Sequence, residues 1–172
     1  MPHFNRVRPF AIASLFTLAA TFSYSPPARA EGYAGVMAGL GIPMGTNVNL
    51  DSGMVLGATL GARLLPLMSI AATYLHDGLK MTNTNLDYKV DQYLAELNFF
   101  SLFFMNAGIH AGSVNTKFLG VSSSDLGYGL HLGFDFKLTD QVSIGGAGYL
   151  TYVTANNKYA TLNLMVPLKI WF

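Results

Sequence analysis

The stretch YATLNLMVPLKIWF, residues 159–172, decides the fold. Every second position from Ala160 onward is apolar: Ala160, Leu162, Leu164, Val166, Leu168, Ile170 and Phe172. Tyr159, Thr161, Asn163, Met165, Pro167, Lys169 and Trp171 fall between them. A period of two is the pattern of a half-buried strand, and its length exceeds the usual soluble strand. It suits a tilted strand crossing a bilayer.

Seven further alternating segments lie upstream, at about 33–42, 53–64, 67–76, 88–100, 102–113, 125–138 and 141–154. Turn-rich breaks separate them. The connections near 65–67, 100–102 and 138–141 are tight, whereas 43–52, 77–87 and 114–124 read as longer loops and 155–158 as a shorter one. Short turns at one end and longer loops at the other are the layout of an up-and-down transmembrane meander. The expected fold is therefore all-β, an eight-stranded antiparallel up-and-down transmembrane β-barrel. An even strand count puts both ends of the barrel domain on one side, and the eighth strand is expected to return beside the first near Glu31.

The segment 125–138 sets the faces. One side carries Leu126, Tyr128, Leu130, Leu132, Phe134, Phe136 and Leu138, and the other Asp125, Gly127, Gly129, His131, Gly133, Asp135 and Lys137. A slip of one residue would turn the whole second set toward hydrocarbon. Lys or Arg there costs roughly 2–4 kcal/mol at the bilayer midplane. The apolar set is thus expected outside and a small, polar set inside, the inverse of a soluble lipocalin-like barrel. The same parity puts Met54, Leu56, Leu60, Met105 and Ile109 outside.

Composition agrees with export to a membrane. The 172-residue chain is 51% hydrophobic but only 11% charged, and it has no cysteine. Arg6 and Arg8, the apolar run 9–22 and Ala28-Arg29-Ala30 have the order of a cleaved signal peptide, so residues 1–30 are expected to be removed. The barrel domain is then 31–172, with no further domain expected. Losing the signal's three basic residues leaves 7 Lys+Arg against 9 Asp+Glu, and no nucleic-acid partner is expected.

With signal, eight strands, inverted faces and a terminal Phe172 in place, the chain resembles the small eight-stranded bacterial outer-membrane barrels of the OmpA N-terminal domain and OmpX type. That resemblance implies an outer-membrane location in a Gram-negative envelope. It implies contact with outer-membrane lipids and lipopolysaccharide, and handling by periplasmic chaperones. Leu168, Ile170 and Phe172 resemble the signal read by the barrel-assembly machinery. A monomer without cofactor is expected.

Two aromatic bands are expected at the membrane interfaces: Tyr74, Tyr93, Tyr128 and Tyr152 toward the loop ends, and Phe99, Phe103, Phe134, Phe136 and Phe172 toward the tight turns. Inside, Arg63, Glu96, Asp135, Lys137 and Lys169 fall at similar depth, where opposite charges are expected to pair. Asn98, Asn106, His110 and His131 are further polar fillers, with no third ligand to make the two histidines a metal site. His110 and Ser113 lie on opposite faces of one strand, so the Ser–His pair of a lipid A deacylase is not expected. The reading is a non-enzymatic barrel plugged by its own side chains, acting through structure or its surface loops. A narrow porin-like channel is the alternative, and a lipid A-modifying enzyme the more distant one.

Overall fold

The computed structural model describes residues 31–45, 50–82, 86–102, 104–154 and 159–172. The signal segment 1–30 and Phe103 lie outside the described residues. The strands are β1 (Glu31–Met44), β2 (Leu50–Leu65), β3 (Met68–Met81), β4 (Asp87–Leu102), β5 (Met105–Phe118), β6 (Val121–Lys137), β7 (Val142–Val153) and β8 (Tyr159–Trp171). Each pairs antiparallel with its chain neighbour, and β8 pairs with β1 to close the barrel. Tyr33 stands opposite Trp171, and the Gly32 and Phe172 backbones exchange two hydrogen bonds of 2.9 Å. The seam forms where the alternation places it.

The first six strands are longer than the alternation suggests, and three loops are correspondingly shorter. Most of 77–87 and 114–124 is strand, because β3 runs to Met81, β4 starts at Asp87, and only Leu119 and Gly120 separate β5 from β6. Leu119 and Gly120 both take positive φ, 48° and 83°, as a two-residue hairpin turn requires. The expected loop 43–52 contracts in the same way, to the residues between Met44 and Leu50. At these strand ends the outward residues are polar (Lys80, Lys89, Lys117) and Leu79, Val90 and Val114 point inward, so the ladder continues after the apolar-outside signature reverses.

The faces follow the expected parity. Leu132 is 64% exposed on the outer wall, and the adjacent His131 is 3% exposed in the lumen. The lining is less uniformly polar than expected. Met37, Val55, Leu75, Leu94, Met165 and Tyr149 form one buried apolar cluster, and Leu79, Val90, Val114 and Val153 form a second. An eight-stranded interior is just wide enough for side chains to fill, and large residues need small ones opposite. Glycine supplies that space. A Cβ on Gly61 would collide with the Tyr33 ring, and one on Gly127 would lie 2.5 Å from a Val114 methyl.

Pro167 is an irregularity within this sheet. It is fully buried in a strand that has neighbours on both sides, where a residue lacking an N–H removes a rung. The β7–β8 ladder pairs Ile144 with Leu168 and Ala147 with Met165 and leaves Gly145 and Gly146 unpaired between them. The register is unchanged across the gap. On the outer wall the Phe134 ring lies over Gly146, covering the thinned stretch.

The packing of Tyr33 against Gly61 is directly testable. Gly61→Val should lower barrel stability by about 1–3 kcal/mol through overpacking. A lower denaturant midpoint for the folded band in unboiled gels is the expected readout; an unchanged midpoint would contradict the fit.

Candidate functional site: the layered lumen

The interior is a stack of layers from the end that holds Glu31 and Phe172 to the opposite end. At the first mouth, Trp171 points inward, its indole Nε1 donating to Ser143 Oγ at 2.8 Å. It packs on Tyr33 with centroids 4.9 Å apart. Arg63 and Lys137 lie over the indole at 5.1 and 5.7 Å, a cation–π arrangement. Trp171 holds the inward parity of its strand, and this signal was available in the alternation beside Phe172.

The five expected lumen charges do not form one network. Lys169 Nζ donates to Asp135 Oδ2 at 2.7 Å, and Asn106 Nδ2 approaches the same oxygen at 3.4 Å. Arg63 instead pairs with Glu31 at 3.3 Å on the rim, where both side chains are partly exposed. Lys137 is exposed and its lumen contact is the indole. Glu96 is buried deeper, with His131 Nε2 3.8 Å from its carboxylate. The separation reflects height: the rim charges reach solvent, whereas Glu96 lies further into the barrel.

His110 and His131 lie side by side, and their third partner is Asn98, with Asn106 turned to Asp135 instead. His131 Nε2 lies 2.8 Å from Asn98 Oδ1, the two Nδ1 atoms lie 3.4 Å apart, and His110 Nε2 lies 3.0 Å from Thr151 Oγ1. One proton arrangement satisfies all three bonds. Thr151 donates to His110 Nε2, His110 Nδ1–H donates to His131, and His131 Nε2–H donates to Asn98. Each ring then carries one proton and every ring nitrogen is used. Gly108 and Gly129 make room, since a Cβ on either would lie under 3 Å from a histidine ring. A cavity of about 40 Å³ remains beside Tyr33, Ser69, Glu96, Asn98, His131 and Tyr149.

Beyond the apolar cluster around Leu75 lies a second polar layer that the sequence reading missed. Asp77 is fully buried and accepts from Gln92 Nε2 at 2.8 Å and Asn163 Nδ2 at 3.3 Å. Gln92 also reaches Thr161 at 3.4 Å. Asp77-Gly78 resembles a turn dipeptide, which hid the residue; the parity Ser69, Ala71, Thr73, Leu75, Asp77, Leu79 would have revealed it. The second apolar cluster, with Leu50, Tyr88 and Tyr159 against it, closes the far end.

Among the described residues no group of three or more His, Cys, Asp or Glu is placed to hold a metal ion. Ser113 bonds Ser124 at 3.1 Å and not His110, so these residues make no Ser–His pair.

The outer wall carries the expected aromatics. Tyr74 and Tyr93 are cross-strand partners with rings 5.1 Å apart, and Tyr128 and Tyr152 are partners at 6.2 Å. Toward the other end Phe134 and Phe136 lie 5.5 Å apart, and Phe104, a residue the sequence reading passed over, stacks on Phe136 at 6.0 Å. Phe99 and Phe172 are exposed, as are Leu168 and Ile170.

No protein-family model matches the chain, and no curated protein matches it in sequence. Solved structures do match in shape. Neisserial surface protein A is 15% identical with a TM-score of 0.64, over 82% of this chain and 97% of that one. Ail, the attachment invasion locus protein of Yersinia pestis, is 13% identical with a TM-score of 0.59, over 83% and 99%. The outer membrane protein OprG from Pseudomonas aeruginosa is 14% identical with a TM-score of 0.58, over 83% and 95%. The chain therefore has the fold of the small eight-stranded outer-membrane β-barrels.

Proposed function

We propose that this chain is a non-conducting integral outer-membrane protein with a structural or surface-interaction role and no catalytic centre. The observation that carries the reading is the complete burial of Val55, Leu75, Val90 and Val114 across the lumen. Two apolar layers alternate with two hydrogen-bonded polar ones, so a hydrated ion meets a dry barrier twice. The small cavity near Glu96 stands on one side of both barriers and makes a dead-end vestibule.

The apolar outer wall supports the membrane location. Leu, Ile, Val, Phe and Tyr side chains cover it between the two aromatic bands, a continuous exposure that a monomeric protein in water does not carry. The rings suit interfaces, where one side of each is dry and the other wet. Leu168, Ile170 and Phe172, all outward, support recognition of β8 by the assembly machinery. Surface interaction falls to the strand extensions and their short connections more than to long loops.

In planar bilayers the purified protein should give no steady conductance steps. Regular openings altered by Leu75→Gly would replace the closed reading with a channel.

The Lys169–Asp135 pair gives a second check. Lys169→Met alone strands a partly buried carboxylate and should destabilise by about 3 kcal/mol, whereas Lys169→Met with Asp135→Asn should recover most of the loss. Equal unfolding midpoints for the single and double variants would contradict a paired plug.

Deleting Phe172 also removes its two backbone bonds to Gly32. The expected outcome is less folded, heat-modifiable barrel in the outer-membrane fraction, with Phe172→Tyr near wild type. Full assembly without an aromatic at this position would remove it as a signal.

A further inference from the structure

Glu96 keeps a charge that its surroundings do not match. Its side chain is only 4% exposed, and Oε1 has no hydrogen-bond partner among the described residues. The imidazole beside it does not neutralise it, because His131 Nε2–H is directed to Asn98 and each histidine of the pair carries one proton. Among the described residues, no lysine or arginine forms an ion pair with Glu96. A buried carboxylate without a counter-charge is costly. Asp135 is also only half satisfied. Its Oδ2 accepts from Lys169 at 2.7 Å and Asn106 at 3.4 Å, while the buried Oδ1 has no partner among the described residues and sits against the bare Cα of Gly145.

Both carboxylates line the cavity of about 40 Å³, and Ser69, Asn106 and Tyr149 surround it with neutral oxygens. Arg63 also lines it but is matched by Glu31 at the rim, and Lys169 is matched by Asp135. The vestibule is left with the negative charge of Glu96. Its remaining donors are hard oxygens, because the histidine nitrogens are engaged in their own hydrogen-bonded chain. Such a set suits a hard cation and not a transition metal.

Charge and volume together choose the occupant. We infer that the vestibule holds a sodium ion, bound by Glu96 Oε1 and Asp135 Oδ1, with water completing its shell. A monovalent ion brings the cavity to neutrality, whereas a divalent one would leave an excess positive charge in a low-dielectric interior. The space admits about three water-sized bodies at roughly 10–15 Å³ each, so an ion with one or two waters fits and a fully hydrated one does not. Magnesium, which gives up its water reluctantly, is excluded on the same ground. The site adds a ligand to the plug proposed above and rests on the vestibule being closed at its inner end. Planar-bilayer conductance tests that closure, and sodium dependence tests the site, so the two can fail separately.

Wild-type protein, Glu96→Gln and a Lys117→Gln control are folded in non-ionic detergent at neutral pH, in sodium chloride or in choline chloride of the same ionic strength. The first readout is the temperature at which the folded gel band is lost. Sodium should raise it by several degrees over choline for wild type and Lys117→Gln, saturating with concentration, with a difference under about one degree for Glu96→Gln. In choline, Glu96→Gln should unfold no earlier than wild type, because the unmatched charge has been removed. The second readout is the width of the sodium magnetic-resonance line, which folded wild type should broaden more than the heat-unfolded protein does. This measurement decides alone where Glu96→Gln does not fold. Equal unfolding of wild type in sodium and choline would overturn the proposal and leave Glu96 to a proton or to water alone. So would a sodium effect retained in Glu96→Gln, a line no broader for the folded protein, or a rise with magnesium chloride in place of sodium.

Discussion

Every backbone N–H and C=O in a wall that faces hydrocarbon must find its partner inside the protein, and the rest of this structure follows from that requirement. A sheet with two open edges fails it. The chain meets it by returning β8 to β1, where Gly32 and Phe172 exchange their backbone bonds and Tyr33 meets Trp171. Closure with eight strands fixes an interior one or two side chains wide. The lining is then bound to alternate large and small, as Tyr33 against Gly61 and the histidines against Gly108 and Gly129 do.

Within so narrow a space, polar groups have to satisfy one another. The Thr151–His110–His131–Asn98 chain does so on one side of a dry layer; on the other, Asp77 accepts from Gln92 and Asn163, while the amide oxygens of those two residues find no partner among the described residues. Hydrogen bonds of this kind add little net stability individually, but a lost partner leaves a buried group unsatisfied. The apolar layers carry the packing and the polar layers discriminate between registers. A slip by one residue would turn Asp77 and His131 toward lipid. Even the broken ladder at Pro167 is held in register by correct pairs on both sides, Ile144 with Leu168 and Ala147 with Met165.

The faces were legible in the sequence because parity is local: Leu132 out and His131 in can be read from one strand. The strand ends were not. Above the tyrosine band the outward positions become Asp91, Lys89, Asn115 and Lys117 while Val90 and Val114 point inward, so the alternation changes sign although the ladder continues. Partner choice among the lumen charges was equally hidden. Whether Arg63 reaches Glu31 or Glu96 depends on the stagger between strands, a property of the closed barrel that no single strand records. Pairing Lys169 with Asp135 needed only their shared inward parity and similar distance from the turns, and that much was legible.

Trp171 is the only tryptophan in the chain, and its environment is assembled from four separate strands: Tyr33 from β1, Arg63 from β2, Lys137 from β6 and Ser143 from β7. None of these is its neighbour in sequence. The hydrogen bond to Ser143 lies within the β7–β8 pair, whereas the stacking on Tyr33 and the Arg63 cover arise only when the last strand docks against the first. The part of its fluorescence that responds to the Tyr33 ring and the Arg63 guanidinium is therefore an intrinsic clock for the final step of assembly.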